Sequence, residues 1–202
     1  MPVVEITQLR LKGLSANDPA LLESLSQVRS KLQSNSRFFS CIDESSLIYI
    51  FGFWPSLHAH LKFLASPARD EILGPQEAIL DFQWTIHLEL DATTPQLFDA
   101  PFLAIERFDV DAANIEAYSQ VVVDHARKLR SKDRGPLGVT YAWRCDLPAG
   151  SHESAILTTW SSEGHGSTEA GRHITLDHDD GGSFRCTLSH RAWNIEHTQS
   201  GA

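Results

Sequence analysis

Ser46-Leu-Ile-Tyr-Ile-Phe-Gly-Phe-Trp54-Pro-Ser-Leu-His-Ala-His60-Leu-Lys-Phe-Leu-Ala-Ser66-Pro67 begins as an apolar run and continues with a helical spacing. From Leu47 to Phe53 only Gly52 is not a sizeable apolar side chain. β-branched and aromatic residues dominate, the composition of a strand covered on both faces. Pro55 suits a first helical turn, where the missing N–H costs nothing. Downstream, Leu57, His60, Leu61 and Leu64 recur at i, i+3, i+4 and i+7. That spacing puts His60 on the stripe a helix buries and leaves His58 and Lys62 on the other side. Trp54, at the end of the strand, and His60 are therefore expected to share a pocket between sheet and helix.

Working outward, Val3–Leu11 alternates as a strand, and Asp18-Pro19 supplies a cap and a first-turn proline for a helix carrying Leu21, Leu25, Val28 and Leu32 on one face. Residues 37–42 form a second strand, and the polar Asp43-Glu44-Ser45 connects it as a hairpin to the strand that ends at Trp54. After Ser66-Pro67 a helical stretch over 68–80 is divided by Gly74-Pro75. Residues 82–90 then alternate, with Trp84, Ile86, Leu88 and Leu90 on one face and Gln83, Thr85, His87 and Glu89 on the other. The order is β-α-β-β-α-β, the split βαβ unit.

Residues 91–101, rich in Thr, Pro and Asp, read as a linker, and the order then repeats. Residues 102–110 form a strand. Asp111 caps a helix with Ile115, Tyr118, Val122, His125 and Leu129 on one face. Further strands are expected through Cys145, over 155–160 and over 183–195, with the last helix short or degenerate over the glycine-rich 163–172 and a turn at Asp179-Asp-Gly-Gly182. Trp160-Ser161-Ser162 echoes Trp54-Pro55-Ser56. The expected fold class is α+β: two ferredoxin-like modules, 1–97 and 101–202, whose sheets press together as a pseudo-dimeric α/β barrel. A chain that covers both sheets by itself is expected to fold as a monomer, with at most a weak homodimer.

The pattern Trp54-x-Ser56-x-x-x-His60-x-x-Phe63-x-x-Ser66 after an apolar strand resembles the antibiotic-biosynthesis monooxygenase family of dimeric α/β barrels. The resemblance implies a cofactor-free site in the first module. In the quinone-forming oxygenases of that family a tyrosine stands where this chain has His60, and an asparagine and an arginine fall near Ile50 and Gly74. Ile50 and Gly74 bring no side-chain donor to steady a substrate anion, which turns the expectation away from oxygenation. A related group of barrels, similar to the plant polyketide cyclases, carries a histidine after a proline where this chain has Arg69.

Composition narrows the function classes. Seventeen Lys and Arg face 26 Asp and Glu, a net charge of -9 with no basic cluster, so nucleic acid and anionic membranes are unsuited partners. Cys41, Cys145 and Cys186 are three and far apart, which argues against a disulfide framework and for a reducing compartment. No apolar run reaches the length of a membrane span, and the N-terminus reads as a strand rather than a signal peptide, so the expected location is cytoplasmic.

Ten histidines raise the question of metals. His58-x-His60 diverges by about 200° on a helix, and His173 and His178 with Asp177, Asp179 and Asp180 sit in a polar loop. No His-Glu-x-x-His run, Cys-x-x-Cys pair, phosphate-binding loop or dinucleotide fingerprint is present, so neither a metal nor a cofactor is expected. Histidine among apolar and aromatic side chains suits acid/base work instead, since burial favours its neutral, basic form. His60 and His87 are the catalytic candidates; Trp54, Phe63, Ile50, Arg69 and Trp84 are the residues expected to bind a hydrophobic small-molecule substrate. His125 is expected to be a core histidine. The reaction expected first is a cyclisation, isomerisation or dehydration of a polyketide- or terpenoid-type molecule. Monooxygenation of a phenol or anthrone, or a non-catalytic binding or stress-response role, are the alternatives.

Overall fold

A computed structural model describes residues 1–90, 94–131, 135–162 and 184–197. The first half comprises β1 (Val3–Leu11), α1 (Pro19–Leu32), β2 (Arg37–Cys41), β3 (Leu47–Trp54), α2 (Leu57–Leu64), α3 (Pro67–Leu73) and β4 (Leu80–Glu89). The second comprises β5 (Phe102–Val110), α4 (Ile115–Arg130), β6 (Gly138–Trp143), β7 (Glu153–Trp160) and β8 (Phe184–Asn194). The eight strands form one antiparallel sheet in the order β4-β1-β3-β2-β8-β5-β7-β6. The fold class is therefore α+β, and each half contributes the same internal strand order.

Among the described residues, strand pairing joins the halves at two places. β2 pairs with β8 through Phe39↔Asn194, Ser40↔Trp193 and Cys41↔Ala192. The two end strands of the sheet also touch: Leu88 and Arg144 form an isolated antiparallel bridge, and the Cys145 N–H donates to the His87 carbonyl at 2.9 Å. These contacts leave neither end strand fully unpaired.

Period-two alternation sorts the side chains of every strand. On one face, residues from all eight strands form a single apolar cluster, with Ile6, Tyr49, Phe51, Leu88, Ile105, Leu157 and Ala192 among its members. The opposite face is covered by helices. α1 packs Leu21 and Leu25 onto Phe38, Ile48 and Leu80 in the first half. α4 packs Tyr118, Val122, Ala126 and Leu129 onto Phe108, Val139 and Ile156 in the second. Asp18 caps α1 as its sequence suggests, its carboxylate accepting from the Ala20 N–H, and Pro19 stands in the first turn.

Asp111 makes no side-chain cap bond and α4 has Asn114 at its N-cap, and three further local readings change. α2 is capped by Ser56, whose side chain accepts from the Ala59 N–H, so Pro55 precedes the helix rather than opening it. Leu61 and Leu64 are 49% and 37% exposed, and His60 is the one buried residue of α2, because the helix lies over a cavity instead of a packed core. The segment read as a linker forms a 3₁₀ turn over Thr94–Asp99. It buries Phe98 against Phe51 and Phe53, with ring centroids 4.6 and 5.4 Å apart. A buried phenylalanine contributes about 1.5–3 kcal/mol, which a solvated linker would forgo. The expected segment over 163–172, the turn at Asp179–Gly182, His173, His178 and their neighbouring acids lie outside the described residues.

Candidate functional site

A cavity of about 440 Å³ opens between the helix-covered face of β1, β3 and β4 and the helices α1, α2 and α3. Most of its wall is apolar, with Leu9, Val28, Leu32, Phe38, Ile50, Phe63 and Phe82 contributing. Glu5, Thr7, Thr85 and His60 bring polar groups to it. Strand parity explains the grouping: Glu5 and Thr7 of β1, Ile50 and Gly52 of β3, and Thr85 and His87 of β4 alternate with residues of the apolar cluster on the other face.

Trp54 and His60 meet as their spacing suggests. Their rings stack with centroids 4.3 Å apart and planes 19° from parallel. Phe63 stacks on Trp54 at 5.6 Å. The Trp54 indole N–H donates to Glu5 Oε2 at 2.7 Å, and Thr7 Oγ1 donates to Glu5 Oε1 at 2.5 Å. His60 Nε2 lies 3.4 Å from the same Glu5 Oε2. Gly52 faces Glu5 across the β1–β3 pairing. A Cβ at Gly52 would stand 2.8 Å from Glu5 Oε2 and 3.2 Å from the Trp54 indole nitrogen. Glycine here is what allows the carboxylate and the indole to meet.

Behind His60 the polar chain continues into the second half of the molecule. His60 Nδ1 and His87 Nε2 are 2.7 Å apart, and His87 Nδ1 is 2.7 Å from Asp146 Oδ2. The Arg144 Nε–H donates to Asp146 Oδ1. Arg144 Nη1 reaches Glu153 Oε2 at 3.0 Å, and the Arg107 Nε–H donates to Glu153 Oε1 at 2.6 Å. The two imidazoles are almost sealed, with side chains 4% and 2% exposed, whereas Asp146 keeps 18%.

These bonds order the protons. Burial pushes the Asp146 carboxyl up, but hydrogen bonds from His87 and Arg144 outweigh it and hold the group below the usual carboxylate range. An ionised Asp146 accepts the His87 Nδ1–H, so neutral His87 offers Nε2 as an acceptor to the His60 Nδ1–H. His60 is left with an Nε2 lone pair directed toward Glu5. Burial lowers the His60 pKa, the Glu5 carboxylate works in the opposite direction, and His87 lowers it further. The result is a neutral, basic imidazole next to a carboxylate in the wall of an apolar pocket.

The other candidate residues separate clearly. Trp54, Phe63, Ile50 and Arg69 line the pocket with His60. Arg69 is ion-paired with Asp70 and Glu77 at 2.6 and 2.9 Å. His87 stands behind His60 and touches it. Trp84 faces away, on the other side of β4, where it packs against Tyr49 and lies under the Arg107 guanidinium at 4.4 Å. His125 lies on α4 in the second half, and His58 is exposed. Among the described residues no group of three potential metal ligands forms.

Sequence reasoning passed over Glu5, Gly52 and Asp146. A carboxylate between Val4 and Ile6 on an apolar strand was a usable sign for Glu5. Nothing near Asp146 in the chain indicates His87, 59 residues away.

Comparison with known proteins corrects one expectation. No family model and no curated protein matches the chain. Solved structures match across nearly its whole length at low identity. An anthrone oxidase-like protein has a TM-score of 0.65 at 11% identity, over 95% of this chain and 91% of that one. A single-residue variant of the chlorite dismutase from Candidatus Nitrospira defluvii has a TM-score of 0.57 at 10% identity over 96% and 92%. A dye-decolorizing peroxidase from Bacteroides thetaiotaomicron has 0.58 at 8% over 96% and 93%. Two further matches carry provisional monooxygenase names. The resemblance to the antibiotic-biosynthesis monooxygenase family does not hold as family membership: the matches are to chlorite-dismutase-like, peroxidase-like and anthrone-oxidase-like chains. In this chain the Trp54/His60 spacing reflects a helix docked on a strand end. What these likenesses establish is the ferredoxin-like fold.

Proposed function

We propose that the chain is a cofactor-independent enzyme that moves a proton on an apolar, oxygenated small molecule of the polyketide or terpenoid kind, bound in the first-half pocket. The observation that carries this reading is the Glu5–His60–His87–Asp146 chain ending in the wall of that pocket. His60 Nε2 takes the proton of an acidic C–H or hydroxyl brought against the Glu5 edge, and returns it at a later step as general acid. Trp54, Phe63 and Ile50 give the substrate an apolar bed, and Arg69 flanks it. A cavity of this size falls within the range of small-molecule sites. An open cavity beside a convergent histidine favours an enzyme over a passive binding barrel.

Cyclisation, isomerisation and dehydration all need only this base-then-acid sequence. A second reading, cofactor-free monooxygenation of a phenol or anthrone, uses the same deprotonation, with oxygen adding to the carbanion. It is favoured by the fold shared with a protein named anthrone oxidase-like. Turnover of a panel of polycyclic phenols, anthrones and polyketide-type 1,3-diketones, with and without oxygen, tests both. Activity that persists under strict anaerobiosis supports the first reading; activity that stops supports the second; no turnover of any substrate by wild type sinks both.

The architecture belongs to the same proposal. Residues 1–97 and 101–202 are read as two ferredoxin-like modules related by a pseudo-two-fold, closing a pseudo-dimeric barrel. The repeated strand order and the two seams, β2–β8 and Leu88–Arg144, support it. A chain built this way works as a monomer, and an activity per chain that is independent of protein concentration is the expected result.

A further inference from the structure

The two imidazoles differ in what stands beyond them. His60 faces Glu5 at 3.4 Å, outside the range of a formed hydrogen bond. His87 is locked at 2.7 Å to a carboxylate that Arg144 holds from its other oxygen. Asp146 and Arg144 lie in the segment after β6 and Glu153 on β7, so the second half of the chain supplies the charge on that side. We propose that His87, and not His60, holds the positive charge after deprotonation, with Asp146 of the second half as its positioning counter-ion. This rests on the reading of His60 as the base.

The step balances within the chain. A substrate C–H or O–H bond breaks and its proton joins His60 Nε2. The His60 Nδ1–H breaks and that proton joins His87 Nε2. The electron pair of the broken bond stays on the substrate as an anion. His60 ends neutral with an Nε2–H pointing at the substrate, ready to return a proton, and His87 ends as an imidazolium paired with Asp146. The hop takes the positive charge one ring away from the apolar pocket and into the better-paired position. A charge sited there is as buried as one on His60 but stands 2.7 Å from the Asp146 carboxylate, whereas His60 stands 3.4 Å from Glu5.

The groups that face the two rings are Glu5 from β1, Asp146, Arg144 and Cys145 from the segment after β6, and Glu153 from β7 behind Arg144. The side chains of the two rings themselves come from α2 and β4. Nitrogen NMR of the histidine rings in the full chain, without substrate, reads the order of protonation directly, with His60→Gln and His87→Gln used for assignment. The expected result is that on acidification His87 becomes doubly protonated before His60. Asp146→Asn, which keeps an oxygen to accept the His87 Nδ1–H, is expected to lower that midpoint by about one pH unit or more. It should also shift the acid limb of the pH–rate profile the same way. Asp146→Glu is expected to restore part of both shifts. Protonation of His60 first, or an unmoved midpoint in Asp146→Asn, would overturn the proposal; the wild-type order needs no substitution. Were the order to hold while no substrate turned over, the relay would stand and the enzymatic reading would fall.

Discussion

The two halves share a strand order and even a register, yet they differ at the positions that in the first half line the pocket beside His60. Val3 opposes Trp54 in the first half as Phe102 opposes Trp160 in the second. Carried along the strands, Glu5, Gly52, Trp54 and His87 of the first half correspond to Ala104, Thr158, Trp160 and Arg191 of the second. Gly52 leaves room for Glu5 to reach the indole; Thr158 fills the equivalent space opposite Ala104, and Trp160 is 4% exposed. α4 drives four side chains into the sheet, whereas α2 buries only His60. In the first half the pocket rests on Glu5 and Gly52 at outward strand positions, where the second half has Ala104 and Thr158.

The comparison can be broken most directly at the base. His60→Ala is expected to lower turnover by about 100- to 10,000-fold while the circular dichroism spectrum stays native; an unchanged rate would remove the pocket's claim to the chemistry. Next in size is the contrast in packing. Phe108→Ala, in the sealed layer under α4, is expected to cost about 3–5 kcal/mol in denaturant unfolding. Leu32→Ala, at the pocket wall, removes contacts to a space already open and is expected to cost less than half as much. Equal costs would mean that the first half is as tightly packed as the second.

Gly52→Ala sharpens the same contrast at one atom. The added methyl pushes against Glu5 Oε2, so the Trp54–Glu5 bond opens and turnover falls, with stability changed by about 1 kcal/mol. Thr158→Ala, at the corresponding position of the second half, is expected to leave turnover unchanged. Loss of activity from Thr158→Ala alone would reverse the assignment of the halves.

Acid provides a smaller effect. The folded-state pKa of His60 is depressed by burial, and that of Asp146 is also lowered. For both groups the unfolded chain binds the proton more readily, so their stabilisation is present above the unfolded pKa and is lost as pH falls through the folded one. For His60 the loss begins below about pH 6.5, and for Asp146 below about pH 4. Unfolding curves between pH 7 and 5 are expected to flatten in His60→Gln; an unchanged slope would show that the imidazole does not titrate against burial. Smallest of all, His58→Ala, one turn-face away and exposed, is expected to stay within about 0.5 kcal/mol and to keep full activity.

Local chemistry in the chain was enough for the elements that local chemistry builds. Alternation over 82–90 sorted Ile86 and Leu88 from Thr85 and His87, Asp18-Pro19 marked the start of α1, and helical spacing turned His60 inward toward Trp54. Those signals depend on residues a few positions apart, where backbone geometry alone decides who is a neighbour. Tertiary structure decided the rest. Whether His87 meets His60 depends on how α2 sits over β4. Whether Asp146 meets His87 depends on two end strands of one sheet meeting at Leu88 and Arg144. Glu5 became part of the site only when β1 paired with β3 at Gly52, and Phe98 left the linker for the core only when Phe51 and Phe53 were assembled to receive it. Each of these contacts joins residues 27 or more positions apart. Its energy exists only once the sheet has closed the intervening chain, so no pattern within a strand or helix could announce it.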